Sequence, residues 1–175
     1  QQRDGRRFGD AAVAEVRREA ADEVGGEELE GRLVGLRAMA VPQRPGGHVA
    51  TRRCGRWSTP FAKWQGAFAG LHSIRFAADV ARTELARRKI SAQAFDHAVL
   101  GVTIPQWRGF WGAPWLMSMI GNADVAGPTI TQACQTGPRS LIAAAMELTS
   151  GQASSALVVT CDRMSNGAFV SYPGD

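Results

Sequence analysis

The chain is predicted to fold as an α/β layered structure, a mixed sheet with a buried core helix, and three segments carry that prediction. SALVVT at 155–160 is a continuous apolar run, the pattern of a strand in a sheet covered on both faces. HAVLGVTI at 97–104 reads as a second strand, ended by Pro105. Between them, QTGPRSLIAAAMELTS at 135–150 reads as a helix. It is small and apolar on nearly every face from Leu141 to Leu148, so burial on all sides is expected. Helices and strands that alternate along a chain imply a sheet with helices layered on it.

The chain divides into two regions, 1–56 and 57–175. The first reads as an N-terminal extension and linker, helical in part or disordered. In FGDAAVAEVRREAADEV at 8–24, Phe8, Ala12, Val16 and Ala20 recur at helical spacing before Gly25 and Gly26 stop the pattern. Leu29, Leu33 and Leu36 continue it. The apolar stripe is thin, which marks a solvated extension rather than a docking helix. VPQRPGGHVATRRCGR at 41–56 has neither a helical nor a strand period and reads as a linker.

The compact region starts near Trp57. A turn-rich stretch at 58–71 leads into a helix from about Ser73 to Lys89, with Ile74, Ala77, Ala78, Ala81 and Leu85 on one face. Ser73 can cap it, and Arg87, Arg88 and Lys89 suit the negative end of its dipole. Ser91 is placed to cap a further short turn. WRGFWGAPWLMSMI at 107–120 reads as a glycine-interrupted loop feeding a helix under the core, with its aromatic rings as packing residues. TITQA at 129–133 is a short strand that enters Cys134. Pro138 suits the first turn of the next helix, and Gly151 the position just past its end. The tail, 161–175, is turn-rich.

Composition removes several classes of function. A chain of 175 residues, 45% hydrophobic and 21% charged, fits one soluble domain with a sizeable core. Cys54, Cys134 and Cys161 are too few and too scattered for a disulfide scaffold. No CxxC and no Cys/His pair stands at zinc spacing, so no metal is expected, and reduced thiols in the cytoplasm are. No apolar run reaches the ~18 residues of a membrane span, and no signal-peptide pattern opens the chain. A net charge of +4 raises nucleic acid as a partner. The arginines, however, sit in separate clusters such as Arg52, Arg53 and Arg56, with no recognition signature, so none is expected.

Cys134 stands out for its setting. A thiol becomes a good nucleophile only as thiolate, and the positive end of a helix dipole favours that form. Cys134 has a strand before it, a helix after it, and Gly137 to let a ligand approach the backbone. Cys161 follows a buried strand and Cys54 lies in a loop, so neither shares this setting. Amides that stabilise a thiolate also stabilise an oxyanion, which points to acyl transfer through a thioester. On residues alone, a reactive thiol and a small buried hydrophobe are equally good readings.

Segment 129–151, TITQACQTGPRSLIAAAMELTSG, resembles the nucleophile segment of the thiolase family. It has a threonine–aliphatic strand, the cysteine, a small-residue turn with glycine and an Ala-rich helix ended by glycine. CDRMSNGAFVSYP at 161–173 resembles the family's next motif at Asp162, Met164, Ser165 and Pro173. STPFAKWQGAF at 58–68 resembles its opening Arg-Thr-Pro-Phe-Gly-Lys-Phe motif, and FDHAVLG at 95–101 the stretch leading to its second strand. The four matches stand in family order.

This resemblance implies the N-terminal half of a thiolase-like fold, a five-layered α/β arrangement built from two similar halves. It implies Cys134 as the acyl-accepting nucleophile, with Met164 and Gly137 as substrate-binding residues. It also implies acyl-CoA substrates, with coenzyme A as co-substrate and no bound cofactor. The expected reaction is thiolysis of a 3-oxoacyl-CoA or the reverse Claisen condensation, hence lipid metabolism such as fatty acid β-oxidation. The implied partners are a C-terminal thiolase half and a second copy in a homodimer.

Two departures accompany the match. Ser58 stands where the family's first motif opens with Arg, and polar 48–56 replaces the apolar strand expected before it. Family members also draw an activating His, a second Cys and an Asn-containing motif from the C-terminal half. His48, His72 and His97 match none of these and read as structural, His72 flanking a helix start and His97 a strand start. The chain by itself is therefore expected to be inactive or weakly active. The alternatives are a β-ketoacyl synthase-like enzyme, and a non-catalytic half that binds acyl-CoA or a partner. DRMS at 162–165 favours the thiolase reading.

Overall fold

The computed structural model describes residues 38–39, 56–63 and 65–163. The helices expected over 8–36, the linker up to residue 55, and Met164, Ser165 and Pro173 lie outside the described residues.

Four strands make one sheet in the order β1–β4–β2–β3, where β1 is Ala38–Met39, β2 His97–Gly101, β3 Thr129–Ile130 and β4 Ala156–Thr160. β4, β2 and β3 are parallel, and β1 pairs antiparallel with β4, so the sheet is mixed. The β2–β4 register runs from His97 opposite Ala156 to Gly101 opposite Thr160. β1 comes from the stretch read as extension and aligns Ala38 with Leu157.

Successive strand residues point to opposite faces, and the core divides accordingly. Ala98, Leu100, Leu157 and Val159 join the cluster under helices α1, Ser73–Arg87, and α2, Gly112–Ile120. Val99, Ala156 and Val158 join Ala144 and Leu148 of α3, Thr136–Thr149, on the other face. The result is three layers, α/β/α. Leu100 and Leu157 are fully buried, and burial of one such side chain stabilises by about 1.5–3 kcal/mol.

α1 forms where the sequence predicts and buries the predicted face, including Ile74, Ala78 and Leu85. Its cap differs. His72, not Ser73, occupies the N-cap, with no side-chain cap hydrogen bond. The His72 ring is drawn away instead, its Nε2 lying 2.5 Å from the Trp107 carbonyl. Ser73 becomes the first helical residue and is buried. At the other end, Arg87 Nη2 lies 2.7 Å from Glu84 Oε2 and Arg88 Nε 3.5 Å from it. The Arg87 hydrogen bonds hold the Glu84 carboxyl below its ordinary pKa despite partial burial. Ser91 caps the next turn, accepting from the Gln93 N–H at 3.2 Å.

Two expectations about apolar residues fail. Trp115 packs against the core as expected, but Trp107, Phe110 and Trp111 do not join it. They are 74%, 87% and 70% exposed. α2 starts only at Gly112, so these rings belong to the loop before it, and Arg108 stacks over Trp107 at 4.2 Å. Nor is α3 buried on all sides. It buries the stripe Thr136, Ser140, Ala144 and Leu148 against the sheet, while Ile142 is 49% and Met146 60% exposed. Only one face of the helix meets an element among the described residues.

Asp96 ties the starts of β2 and β4 together. Its carboxylate accepts from the Ser155 N–H at 2.9 Å, the Ser154 N–H at 3.0 Å and the Ser154 hydroxyl. Burial works against ionisation, but these bonds outweigh it and hold the carboxyl below its ordinary pKa. A depressed folded pKa contributes stability above the unfolded value and loses it as pH falls through the folded one. Asp96→Asn, which keeps one acceptor oxygen but sets an NH2 against the donors that the other oxygen accepts from, is therefore expected to lower Tm at neutral pH. The difference from wild type should shrink as pH drops below about 4. Melts across that range check it.

Candidate active site

β4, β2 and β3 all point the same way, and their carboxyl ends open onto one crevice, the usual place for a ligand in an open α/β sheet. Three chain segments leave the sheet there. β2 exits through Thr103, β3 through 131–135, and β4 through Cys161 and Asp162.

The turn that carries Cys134 is tightly held. After β3, Ala133–Gln135 forms a single 3-10 turn, and α3 begins at Thr136. Ala133 sits at φ 44°, left-handed backbone that L side chains seldom adopt, which reverses the chain just before Cys134. Thr136 secures this reversal. Its hydroxyl donates to the Ala133 carbonyl at 2.8 Å and accepts from the Gln132 N–H at 2.8 Å. Thr103 Oγ1 lies 3.3 Å from both the Ala133 carbonyl and Thr136 Oγ1. Thr131 adds a hydrogen bond to the Val102 carbonyl at 2.5 Å.

Close approach of α3 to the sheet depends on Gly101. A Cβ there would stand 2.6 Å from Ser140 Oγ, 2.8 Å from Thr160 Cγ2 and 3.0 Å from Thr136 Cγ2. Its bare backbone lets the first turn of the helix settle on the end of β2.

Cys134 is exposed. It lies two residues ahead of the first residue of a 14-residue helix, at the positive end of its dipole. The nearby amides are less available than a plain helix N-terminus offers. The Gln135 N–H donates to the Gln132 carbonyl at 2.9 Å, the Thr136 N–H to the Ala133 carbonyl, and Pro138 has none. Gly137 meets the expectation of an open approach. A Cβ there would find no atom within 4 Å, and the residue lines the same cavity as Cys134.

That cavity has a volume of about 490 Å3. Its walls come from the 59–63 loop, Phe68 to Leu71, α1, the first turn of α3, and Thr160 to Arg163. Asp162 and Arg163 frame it. Asp162 Oδ1 accepts from the backbone N–H groups of Thr103 at 2.8 Å and Ile104 at 2.9 Å. The Arg163 guanidinium donates to the carbonyls of Ala69, at 2.9 Å, and Leu71. These bonds tie the ends of β2 and β4 to the loop that closes the cavity.

Cys161 lines it too, in a different electrostatic state. Burial, with the Asp162 charge adding to it, pushes this thiol up to about 12, and the Ser73 side chain opposes the rise. Cys161 is therefore a neutral thiol at physiological pH.

Structure thus brings Cys134 and Gly137 together, while Met164 lies outside the described residues. Neither His72 nor His97 is among the cavity's described lining residues. His97 opens β2 and His72 directly precedes α1, flanking the strand start and the helix start as the sequence implies. Sequence reasoning missed Thr103, Thr136 and Cys161. Cys161 directly follows a predicted strand and Thr103 lies near the end of the strand read at 97–104, which in the structure stops at Gly101; the carboxyl end of a strand was the available signal.

Comparison with known families agrees with this architecture. The family model for the thiolase N-terminal domain matches residues 55–172. The chain belongs to the thiolase family, a family of acyltransferases, and carries its N-terminal half. No curated protein matches the chain.

Gly137→Leu is expected to keep the fold, since its side chain enters open space and leucine is a better helix former than glycine. It should slow labelling of Cys134 by a bulky maleimide about tenfold or more and leave labelling by iodoacetamide nearly unchanged, because only a large reagent needs the filled space. Rates from peptide mapping check it.

Proposed function

We propose that this chain supplies the nucleophile of a thiolase-type acyltransferase, with Cys134 as the residue that takes the acyl group from an acyl-CoA. The observation that carries the reading is the exposed Cys134 thiol on a constrained strand-to-helix turn, facing an apolar cavity at the carboxyl ends of three parallel strands.

In the step proposed, the Cys134 thiolate attacks the thioester carbonyl. The new carbon–sulfur bond forms as the bond to coenzyme A breaks, and the departing thiolate takes up the proton Cys134 released. With a 3-oxoacyl-CoA, attack falls on the keto carbon. The carbon–carbon bond breaks, and the acetyl-CoA carbanion takes the proton. Condensation is the same sequence reversed. The exposed thiol meets the substrate from the turn before α3, and Gly137 leaves room for it. Met164, which follows Arg163 directly, belongs to the same substrate-binding set. Coenzyme A is a co-substrate here, with no bound cofactor required. Lipid metabolism such as β-oxidation, in the cytoplasm, is the matching physiological setting.

A proton carrier is the missing part. The described lining of the cavity holds no histidine, and Cys161 is held neutral. We assign the base and the proton donor to a C-terminal thiolase half, which would also cover the exposed stripe of Ile142 and Met146. The assembled enzyme is proposed as a homodimer.

The test is mass spectrometry of the chain after incubation with acetyl-CoA or a 3-oxoacyl-CoA. An acyl adduct on Cys134, formed with little or no turnover, is the expected result. If Cys134 alkylates readily yet never acquires an acyl group, the chain is a binding half without chemistry of its own.

A further inference from the structure

The cavity beside Cys134 is much larger than an acetyl group needs. Its volume of about 490 Å3 falls within the ~300–1,000 Å3 of sites that enclose whole small molecules. Phe61, Phe68, Leu71, Phe76 and Val80 line it together with Cys134 and Gly137. Phe68 and Phe76 brace each other as a tilted pair with centroids 5.0 Å apart. That wall is formed before any ligand arrives.

The two charged groups at the β4 end of the cavity are committed to the protein. The Asp162 carboxylate is held by two backbone N–H groups, and the Arg163 guanidinium by two carbonyls. Cys161 is neutral. A sugar or a second charged group would find few free partners among these residues, whereas a hydrocarbon chain would find aromatic and aliphatic surface.

We infer that the cavity receives the hydrocarbon tail of the acyl group, and that the preferred substrate is a straight-chain acyl-CoA of hexanoyl length or longer rather than acetyl-CoA. This rests on the assignment of Cys134 as acyl acceptor. Each methylene taken out of water contributes about 0.8 kcal/mol, roughly fourfold in affinity or in rate. An acetyl group leaves the Phe68–Phe76 wall uncovered and gains none of this.

Two measurements on the full chain separate the chain-length inference from the chemistry. Calorimetry on Cys134→Ala, which cannot be acylated at that position, compares acetyl-, hexanoyl- and octanoyl-CoA. Octanoyl-CoA is expected to bind at least tenfold more tightly than acetyl-CoA. Ala62→Trp, which adds a ring from a half-buried loop position on the cavity wall, should abolish that gain. Phe76→Ala, which strips part of the wall without adding bulk, should reduce it, and a thermal melt confirms that each variant is folded. Equal affinity for the three thioesters, or a preference for acetyl-CoA, overturns the inference. The companion measurement is the Cys134 adduct on wild type. A chain-length gradient in binding without any adduct leaves the cavity assignment standing and removes the proposed chemistry. Adducts that form equally fast from all three, with no gradient in binding, do the reverse.

Discussion

Iodoacetamide at about pH 8 is expected to alkylate Cys134 and to spare Cys161, although both line one cavity. The reagent reacts with thiolate, so the outcome follows from ionisation and access. Cys161 is pushed up to about 12 by burial and by the Asp162 carboxylate. At pH 8 only about one Cys161 in ten thousand is then ionised. Cys134 is exposed and stands at the positive end of α3. The selectivity should therefore exceed a hundredfold in favour of Cys134 and narrow as pH rises toward the Cys161 value. Peptide mapping resolves the two sites and separates Cys54. Labelling of both at similar rates would mean that Cys161 is far less shielded than its surroundings imply.

Gly101→Ala is expected to disturb the site through the fold. The added methyl would stand 2.6 Å from Ser140 Oγ and 2.8 Å from Thr160 Cγ2, distances that force something to move. Ser140 is fully buried and donates to the Thr136 carbonyl at 2.7 Å, so it cannot simply swing away. The yielding part is the first turn of α3. Overpacking of this kind costs about 1–3 kcal/mol, and each kcal/mol lowers Tm by about 2–4 °C at this chain length. Ser140→Ala in the same chain removes the nearest clash but not the contacts with the two threonine methyls, so it should restore only part of the loss. Because Thr136 is also the residue that holds the Ala133 reversal, Gly101→Ala should change the alkylation rate of Cys134 as well as the melting point. A fall in Tm with an unchanged rate would show that the turn and the helix move independently.

Much of this architecture is legible in local pattern. The α1 stripe of Ile74, Ala78 and Leu85 has helical period, and the apolar run in β4 specifies burial on both faces. The strand–cysteine–helix handover at 129–149 is written in Thr129–Ile130, Pro138 and the glycine at 151, which takes φ 76° just past the helix. What is not legible is set by neighbours far along the chain. Trp107, Phe110 and Trp111 are the residue types that usually pack, and only the absence of a facing element among the described residues leaves them in solvent. His72 stands at the N-cap without a side-chain cap bond, its ring meeting the Trp107 carbonyl, which is distant in sequence. The meeting of Thr103, Thr136 and Ala133 needs two strands in register before any of them is a neighbour. Small apolar residues all round α3 also say that the helix can be enclosed, not what encloses it.

α3 joins two ends of one rigid rod. Its first turn anchors the backbone that presents the sulfur, and further along the same helix Ile142 and Met146 stand uncovered. A helix shifts as a unit, so whatever docks along that outer stripe also sets the angle at which the thiol meets its target. Quaternary assembly and chemical competence would then be mechanically linked, with the pose of one sulfur reporting on both.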